Sequence, residues 1–324
     1  MKILVTGGAG YIGSFMTKRL IESGHDVVVV DSLERGYKEA VDQKAKLEIG
    51  KIQDETFINR IFSENKFDTV IHFAGYISVS ESMEKPELYF ENNSFATLSL
   101  LNVMVKNGVK SIIFSSTAAV YGDPLEIPIN EDHPNNPTSV YGESKLMTEK
   151  IINWFSKVYD LKYASLRYFN ACGADPDGNL GEAHNPESHI IPNALDSILK
   201  NKEFILYGTD WETKDGTCVR DYIHVIDLVE AHILVLNKIT SESRNYIYNV
   251  GTGSGYSNKE IMEAVEKVTG FKLSVKASKR REGDPKALVA DPKKIQSELG
   301  FISKHSDLET IISSAWKWHK NNSK

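Results

Sequence analysis

The chain begins Met1-Lys2-Ile3-Leu4-Val5-Thr6-Gly7-Gly8-Ala9-Gly10-Tyr11-Ile12-Gly13, an apolar run followed directly by glycines. The run Ile3-Leu4-Val5 predicts a buried strand, and residues 11–22 predict a helix. Glycines between a strand and a helix permit a tight turn and a close approach of the backbone to a pyrophosphate. The first N–H groups of the helix then face that anion. We therefore predict a dinucleotide-binding loop that contains Gly7, Gly10 and Gly13.

Short apolar runs recur along the first half of the chain, with helical stretches between them. The run Asp26 to Val30 ends at Asp31, where a carboxylate can accept from the adenosine ribose hydroxyls. That carboxylate favours NAD over NADP, whose 2′-phosphate it would repel. The alternative is a structural glycine turn with an ordinary aspartate at a strand end. Further strands are predicted at Leu47–Ile49, Thr69–Phe73 and Ser111–Phe114, and helices at Glu87–Val105 and Tyr141–Val158.

This alternation predicts an α/β fold, a doubly wound Rossmann-like parallel sheet with helices on both faces. After about Asn170 the pattern loosens, and residues 174–192 are rich in Gly, Pro, Asn and Asp, which is typical of a long ordered loop. Later short strands and helices predict a smaller mixed α/β carboxyl-terminal lobe. We predict an NAD-binding domain at 1–171, partly interleaved with 218–252, and a substrate lobe at 172–324.

Composition and charge limit the classes of protein to which the chain can belong. Its 324 residues are 41% hydrophobic and 25% charged, as in ordinary globular proteins. The formal net charge of −6 offers no basic surface for nucleic acid or an anionic membrane. Cys172 and Cys218 are too few for a disulfide framework, and neither a signal peptide nor a membrane span is predicted. We expect a cytoplasmic protein with no nucleic-acid or membrane partner.

Metal and hydrolase chemistry find little support in the sequence. The nine histidines show no spacing typical of a metal site, and His72 on an apolar strand is interpreted as a satisfied core residue. Ser115 and Ser116 do not lie in a G-x-S-x-G turn, so a serine hydrolase is a weak interpretation. We predict that the protein uses no catalytic metal.

Tyr141 and Lys145 lie one helical turn apart in the run Ser139-Val140-Tyr141-Gly142-Glu143-Ser144-Lys145. A free tyrosine is a poor base at pH 7, because its pKa is near 10. A neighbouring ammonium and a positive nicotinamide ring would both stabilise the phenolate, which could then take a proton from a sugar hydroxyl while hydride leaves the same carbon. Thr117 could hydrogen-bond the reacting alcohol. The alternatives are a surface Tyr with a solvated Lys, and a Thr that only forms a turn.

Blocks of sequence along nearly the whole chain resemble the extended short-chain dehydrogenase/reductase family, and within it the enzymes that act on nucleotide sugars. The resemblance implies an NAD-dependent isomerase that interconverts UDP-glucose and UDP-galactose through a 4-keto sugar, with NAD held throughout. It makes the carboxyl-terminal lobe the nucleotide-sugar-binding lobe. The blocks are Val5 to Gly13, His72 to Gly75, Phe114 to Thr117, Val120 to Gly122, Tyr141 to Lys145, Leu166 to Asn170, Val219 to His224 and Arg281 to Asp284.

The resemblance also implies roles for single residues. Tyr141 would take the proton of the sugar 4-hydroxyl, Lys145 would tune Tyr141, and Thr117 would hydrogen-bond O4. The implied cofactor contacts are Gly7, Gly10, Tyr11, Ile12, Gly13, Asp31, Ser32, Leu33, Gly36, Ile52, Phe73, Ala74, Gly75, Asn92, Tyr141, Lys145 and Phe169. The implied UDP-sugar contacts are Thr117, Tyr141, Asn170, His189, Ile190, Ile205, Leu206, Tyr207, Arg220, Arg281, Asp284 and Leu288. Arginine forks suit a diphosphate, although Arg281 could equally be an exposed residue of a basic run.

Four positions depart from the family pattern. Thr117 replaces a frequent Ser, which keeps the hydroxyl and changes little. Lys51 stands where an Asp commonly contacts adenine, and Ile77 stands where many members carry a Lys near the cofactor. Leu288 stands where a bulky Tyr in some members restricts the C2 substituent of the sugar. The smaller Leu suggests that UDP-N-acetylhexosamines also fit.

Other functions stay open at this point. A nucleotide-sugar dehydratase or decarboxylase would need an acid after Thr117, where Ala118 and Ala119 stand instead. An epimerase for pentose or uronate sugars is compatible with the sequence. A non-catalytic NAD-binding sensor would have no need of Tyr141, Lys145 and Thr117. By the resemblance, the helices at 87–105 and 141–158 would form an intersubunit four-helix bundle, so we predict a homodimer.

Overall fold

The structure, a computed structural model, describes residues 1–242, 244–281 and 283–322. The chain forms two compact units. Both units are built from alternating segments of the chain. The predicted domain limits of 1–171 and 172–324 stay a prediction. The first unit comprises Met1–Gly122, Asn135–Arg167 and Val229–Tyr248, and the second comprises Asp123–Pro134, Tyr168–Leu228 and Asn249–Lys324.

The strands of the described residues are named in chain order. They are β1 (Lys2–Thr6), β2 (Asp26–Asp31), β3 (Lys46–Ile49), β4 (Thr69–His72), β5 (Ser111–Thr117), β6 (Lys162–Tyr168), β7 (Asn170–Cys172), β8 (Phe204–Tyr207), β9 (Val219–His224), β10 (Tyr246–Val250), β11 (Gly255–Ser257), β12 (Val275–Ser278) and β13 (Ala287–Leu288).

The helices are named in the same way. They are α1 (Tyr11–Glu22), α2 (Glu55–Glu64), α3 (Val79–Glu84), α4 (Pro86–Tyr89), α5 (Ala96–Lys106), α6 (Val140–Tyr159), α7 (Ile190–Leu199), α8 (Val225–Ser241), α9 (Asn258–Thr269), α10 (Lys293–Leu299) and α11 (Leu308–Asn322). Short 3₁₀ turns lie at Lys38–Ala40 and Ala118–Tyr121.

The first sheet has the strand order β10-β6-β5-β4-β1-β2-β3. Strand β1 lies between β2 and β4 and is parallel to both, with Ile3 opposite Val27 on one side and Thr69 on the other. The chain therefore continues to one side of β1 first and to its other side later. Such a reversal of strand order opens a crevice at the carboxyl ends of the strands, where α/β proteins bind ligands. The predicted doubly wound fold is confirmed.

The second unit has a smaller sheet of order β11-β9-β13, with β7 also paired to β9, and a separate parallel pair of β8 and β12. Helices α7, α9 and α11 enclose a core that includes Leu195, Tyr222, Ile261 and Ile312. This mixed α/β arrangement confirms the predicted character of the carboxyl-terminal lobe.

Two local predictions need correction. The predicted continuous helix Glu87–Val105 is interrupted, because the π-helical segment Phe90–Phe95 separates α4 from α5. The wider π turn is stabilised by the buried Asn93, whose amide donates to the Tyr76 carbonyl at 3.1 Å and to the Ser144 hydroxyl at 3.0 Å. Strand β6 was not among the predicted strands, since Arg167 interrupts its apolar run, yet Arg167 is buried here.

Candidate active site

The glycine loop leaves no room for side chains at two of its positions. Gly7 has a φ of +72°, and a Cβ built there would lie 2.6 Å from the backbone nitrogen of Ala74. A Cβ at Gly13 would lie 2.1 Å from the Gly7 carbonyl oxygen. Both distances are far below a normal contact, so the packing of β1, α1 and the segment after β4 depends on glycine.

Helix α1 begins without a side-chain cap. Its N-cap residue is Gly10, and among the described residues no side chain caps the helix and no acidic residue lies in its first turn. The positive end of the helix dipole is therefore not neutralised by a carboxylate of that turn, and it suits an anion such as a pyrophosphate. The helix begins at Tyr11, as the sequence predicted, and the contact of Gly10, Tyr11, Ile12 and Gly13 with a cofactor stays a prediction.

Asp31 ends β2 beside the loop and is buried. Its Oδ2 accepts the Ala9 N–H at 3.0 Å, and its Oδ1 accepts the Leu33 N–H at 2.8 Å. Burial raises the pKa of Asp31, and the two backbone hydrogen bonds lower it. A carboxylate oxygen can accept more than one hydrogen bond, so this arrangement is compatible with ribose hydroxyls as further donors.

A network of charged side chains surrounds the turn after Asp31. Glu34 accepts from the Lys51 ammonium at 2.5 Å and from the Tyr76 phenol at 3.0 Å. Arg35 lies over the Tyr76 ring, 4.2 Å from its centre, and donates to Glu81 at 2.6 Å. The charge of Lys51, which departs from the family pattern, is thus balanced by Glu34. The predicted cofactor residues Ser32, Leu33 and Gly36 belong to this turn.

The remaining predicted cofactor residues fall in different places. Phe73 and Ala74 follow β4 and donate their backbone N–H groups to the Thr6 carbonyl at 2.9 and 3.1 Å. Asn92 lies in the π-helical segment and accepts from Gln53 at 3.1 Å. Ile52 is buried in the first unit, whereas Phe169 belongs to the second unit and is buried there.

Tyr141 lies in the first turn of α6, which Ser139 caps by accepting the Gly142 N–H at 3.2 Å. The phenol of Tyr141 lies near the Thr117 hydroxyl. Burial raises the pKa of Tyr141 above its usual value, and the Thr117 hydroxyl offsets only part of this rise. The structure therefore brings these two predicted catalytic side chains into contact.

Lys145 is buried one helical turn further along α6. Its Nζ donates to the Ser115 carbonyl at 2.9 Å and would lie 3.3 Å from a Cβ built at Gly75. Burial lowers the pKa of Lys145 to about 8, while the carboxylate of Glu149 raises it. An ammonium in this setting gives up its proton more readily than an exposed lysine does.

A buried ion pair that the sequence analysis did not single out lies on β6 and α6. Arg167 donates from Nη2 to Glu149 Oε2 at 2.7 Å and from Nε to Oε1 at 3.0 Å. The same Oε1 accepts from the Ser116 hydroxyl at 2.5 Å, and Arg167 also donates to the Tyr121 phenol at 2.9 Å. The pair thus supports the residue before Thr117. In the sequence, this pair is indicated only by Glu149, which lies one helical turn after Lys145 and so on the same side of α6.

His72 is confirmed as a satisfied core residue. Its Nδ1 lies 2.6 Å from the Thr6 hydroxyl, and its Nε2 lies 2.8 Å from the Thr97 hydroxyl. Burial and, to a smaller extent, the nearby Lys145 together lower the pKa of His72 to about 3. The imidazole is therefore neutral at physiological pH and serves packing.

The two arginines predicted to bind UDP lie in the second unit. Arg220 is buried on β9, and its Nη2 lies 3.6 Å from Asp284 Oδ1. Arg281 lies over the Tyr207 ring, 4.1 Å from its centre, and donates to the Ser188 carbonyl at 3.3 Å. The alternative of Arg281 as a simple exposed residue is therefore wrong. Glu282, in the same sequence block, lies outside the described residues.

The other predicted UDP-sugar residues of this unit lie on its short strands or at the start of α7. Leu288 on β13 stands opposite Arg220 on β9, and Asn170 on β7 stands opposite Tyr222. On β8, Leu206 is buried and Ile205 is 44% exposed. Ile190 begins α7, and His189 is the residue before it.

His189 belongs to a compact group of charged side chains. Its Nδ1 contacts Oε1 of the buried Glu182, which also lies 3.0 Å from Nδ1 of His184. Burial raises the pKa of Glu182, but His189 and His184 outweigh it and hold this pKa at about 2. Burial lowers the pKa of His184, but Glu182 and Glu187 raise it to about 10.

No helix of the described residues is both long and apolar enough to cross a bilayer.

Comparison with known proteins identifies the family. Residues 3–251 match the NAD dependent epimerase/dehydratase family. The UDP-glucose 4-epimerase of Lactobacillus helveticus is 47% identical over 325 residues, which cover 100% of this chain and 98% of that protein. The crystal structure of the Bifidobacterium longum UDP-glucose 4-epimerase, in complex with NAD+ and UDP, matches with 39% identity and a TM-score of 0.95, covering 99% of both chains.

A third relative differs in its substrates. The UDP-Glc/GlcNAc 4-epimerase of Campylobacter jejuni matches with 38% identity and a TM-score of 0.85, again over 99% of both chains. The glycine loop, the Tyr141 and Lys145 pair and these full-length matches agree. The chain belongs to the NAD dependent epimerase/dehydratase family.

Proposed function

We propose that this chain is an isomerase that interconverts UDP-glucose and UDP-galactose by inversion at C4, with NAD bound throughout the turnover. The observation that carries the proposal is the contact of the Tyr141 phenol with the Thr117 hydroxyl, close in sequence to the buried Lys145 ammonium. These groups belong to the same unit as the glycine loop. NAD, when bound, supplies the acceptor and donor of the C4 hydride.

Tyr141 would take the proton from the 4-hydroxyl of the sugar and later return it. The phenol needs help for this, since burial raises its pKa. Lys145 supplies a positive charge one helical turn away, which favours the phenolate. Thr117 would hold O4 by a hydrogen bond and fix the hydroxyl near the phenol.

The site residues present fit a dinucleotide. The loop from Gly7 to Gly13 and the uncapped start of α1 would hold the pyrophosphate, and Asp31 would accept from the adenosine ribose. In the second unit, Arg220 and Arg281 would hold the diphosphate of UDP, because planar guanidinium groups match its oxygens. Asp284 would keep Arg220 in place.

The proposal is tested by incubating the purified protein with UDP-glucose and no added cofactor. We expect UDP-galactose to form until equilibrium, with no net NADH. Net NADH would instead indicate a dehydrogenase, and the absence of both products would favour a binding-only protein. Denatured protein should release NAD in about one equivalent per chain.

Gly13→Ala should remove the bound NAD and destabilise the protein by about 1–3 kcal/mol, as overpacking does. The added Cβ would meet the Gly7 carbonyl oxygen and displace the loop. The measurement is NAD released per chain together with denaturant unfolding. Gly24→Ala is the control, since its Cβ would meet no atom within 4 Å and only its φ of +79° is unfavourable. NAD retained at the wild-type level by Gly13→Ala would contradict the assigned role.

Leu288→Tyr should affect two substrates differently, if Leu288 leaves room for a substituent at C2 of the sugar. We expect turnover of UDP-N-acetylglucosamine to fall about 10–200-fold, while that of UDP-glucose changes far less. The ratio of kcat/KM for the two substrates is the measurement, and Leu288→Ile is the size-matched control. If the wild-type protein does not epimerise UDP-N-acetylglucosamine, the suggestion that N-acetylhexosamines fit is wrong.

We further propose a homodimer formed through the helices of the first unit. Phe95, Leu98, Trp154 and Val158 are exposed apolar residues on or beside α5 and α6. Trp154 is 63% exposed and Val158 65%, and several exposed large apolar residues on neighbouring helices can mark a protein–protein interface. A cytoplasmic location remains a prediction from the sequence.

Trp154→Glu should shift the mass in sedimentation from dimer to monomer at micromolar concentration, because a charge at an apolar interface is costly. The control is Ile302→Glu, an equally exposed apolar residue of the second unit at 66% exposure. A monomeric wild-type protein would overturn the proposal, as would an unchanged mass for Trp154→Glu.

A further inference from the structure

The charged group around His189 contains the ligand types of a metal site. Glu182, His184, Glu187 and His189 lie in one short segment that leads into α7. Each offers one ligand atom, and these atoms all lie within 4.8 Å of one another. We name these residues the 182–189 cluster. The proposed epimerisation makes no use of it as a metal site.

The contacts inside the cluster already orient its side chains toward a common centre. Oε1 of Glu182 contacts Nδ1 of both His184 and His189. Oε1 of Glu187 lies 3.8 Å from Nδ1 of His184. The same oxygen accepts the backbone N–H groups of Ser188 and His189 at 2.7 and 2.8 Å, which fixes the Glu187 carboxylate. Both imidazoles therefore present the same ring nitrogen to the carboxylates.

The surroundings hold the segment in place. Glu182 is only 4% exposed, although an isolated buried carboxylate would be unfavourable. A Cβ built at Gly181 would lie 2.4 Å from the Trp318 ring of α11, so the segment packs closely on that helix. His189 directly precedes α7. A ligand bound here would tie the loop to two helices of the second unit.

Two imidazoles and two carboxylates form a set of nitrogen and oxygen ligands with a charge of about −2 when deprotonated. This set suits Zn²⁺ and related first-row cations better than Ca²⁺ or Mg²⁺, which prefer oxygen alone. Tetrahedral zinc with bonds of about 2.0–2.1 Å needs ligand atoms about 3.3 Å apart. Binding would require these ligand atoms, which now lie within 4.8 Å of one another, to move closer to that spacing.

We propose that Glu182, His184, Glu187 and His189 bind one divalent cation of the zinc type, with a structural role in the second unit. The cation would lie between the imidazoles and the carboxylates, and it would hold the segment before α7 in one conformation. This proposal does not depend on the proposed function, because its readouts are metal content and stability.

The test uses the full chain without a histidine tag, stripped with EDTA and titrated with Zn²⁺ alone by calorimetry. We expect one Zn²⁺ per chain and a rise in the unfolding temperature when it binds. Co²⁺ in place of Zn²⁺ should give the visible absorption of a four-coordinate nitrogen and oxygen site. No stoichiometric binding would overturn the proposal and leave the cluster as ion pairs only.

The variants His184→Gln and Glu187→Gln should weaken Zn²⁺ binding beyond the roughly 10–100-fold that loss of an outer partner costs. His25→Gln, a histidine of the first unit, should bind Zn²⁺ as the wild type does. Wild-type binding that persists in both cluster variants would place the metal elsewhere and overturn the proposal. If the variants do not fold, the stoichiometry and Co²⁺ spectrum of the wild type still decide.

Discussion

Tyr141→Phe should lower the turnover of UDP-glucose by about 10²–10⁴-fold, the range that a positioned acid–base group contributes. The variant keeps the ring and removes only the oxygen that contacts Thr117. Because no carbon packing is lost, the fold and the bound NAD should be unaffected. The measurement is kcat for UDP-galactose formation together with NAD content per chain.

The control for this variant is Tyr37→Phe, which removes a phenol oxygen from a side chain that is 45% exposed. It should leave kcat unchanged. Thr117→Val should cause a smaller loss than Tyr141→Phe, since it removes a hydrogen bond and not the base. Full activity in Tyr141→Phe would contradict the assignment of the base, whatever the other residues do.

Arg167→Met should destabilise the protein by about 3–5 kcal/mol, because it leaves the buried Glu149 carboxylate without its partner. Both side chains are nearly inaccessible, at 2% and 7% exposure. Equilibrium unfolding in denaturant measures the loss. Glu149→Leu combined with Arg167→Met removes both charges and should recover much of it, since an apolar pair of similar volume needs no partner.

An exposed ion pair provides the matched control. Lys267 and Glu309 lie 3.2 Å apart with exposures of 75% and 70%. Lys267→Met should cost about 0–1 kcal/mol, as pairs in water contribute little. If Lys267→Met and Arg167→Met lowered the free energy of unfolding equally, burial would not determine the strength of the Arg167 ion pair.

We expect the same pair to affect the pH dependence of turnover. Glu149 raises the pKa of Lys145, which burial lowers to about 8. Removal of the Glu149 charge should lower the Lys145 pKa further, so the ammonium would be lost at a lower pH. In the double variant of Glu149 and Arg167, the alkaline limb of the activity profile is thus expected at lower pH than in the wild type. A side chain that only contributed packing would not shift the pH profile.

The fold was predictable where neighbouring residues in the sequence allow only one local conformation. Glycines at 7, 10 and 13 between an apolar run and a helix indicate a close turn. In the structure, a side chain at position 13 would clash with the Gly7 carbonyl oxygen. The spacing of Tyr141 and Lys145 on one helix follows from the helical repeat. These features depend on neighbours in sequence, which a single sequence reveals.

Features that depend on distant neighbours were not predictable. Arg167 interrupts an apolar run, and only its partner Glu149 on another element explains its burial. The π-helical segment depends on contacts of Asn93 with Tyr76 and Ser144, which come from separate parts of the chain. The 182–189 cluster matches no standard metal spacing, because its side chains converge through a turn and not along a helix.

The order of strands in the first sheet limits how the chain can be dissected. A fragment ending at residue 171 would contain the glycine loop and α6 but lack β10, the strand beside β6. The open edge of β6 would then present unpaired N–H and C=O groups to other chains, which promotes aggregation. Split-protein designs that aim for a self-sufficient nucleotide-binding half must therefore retain the chain from Val229 to the end of β10 at Val250.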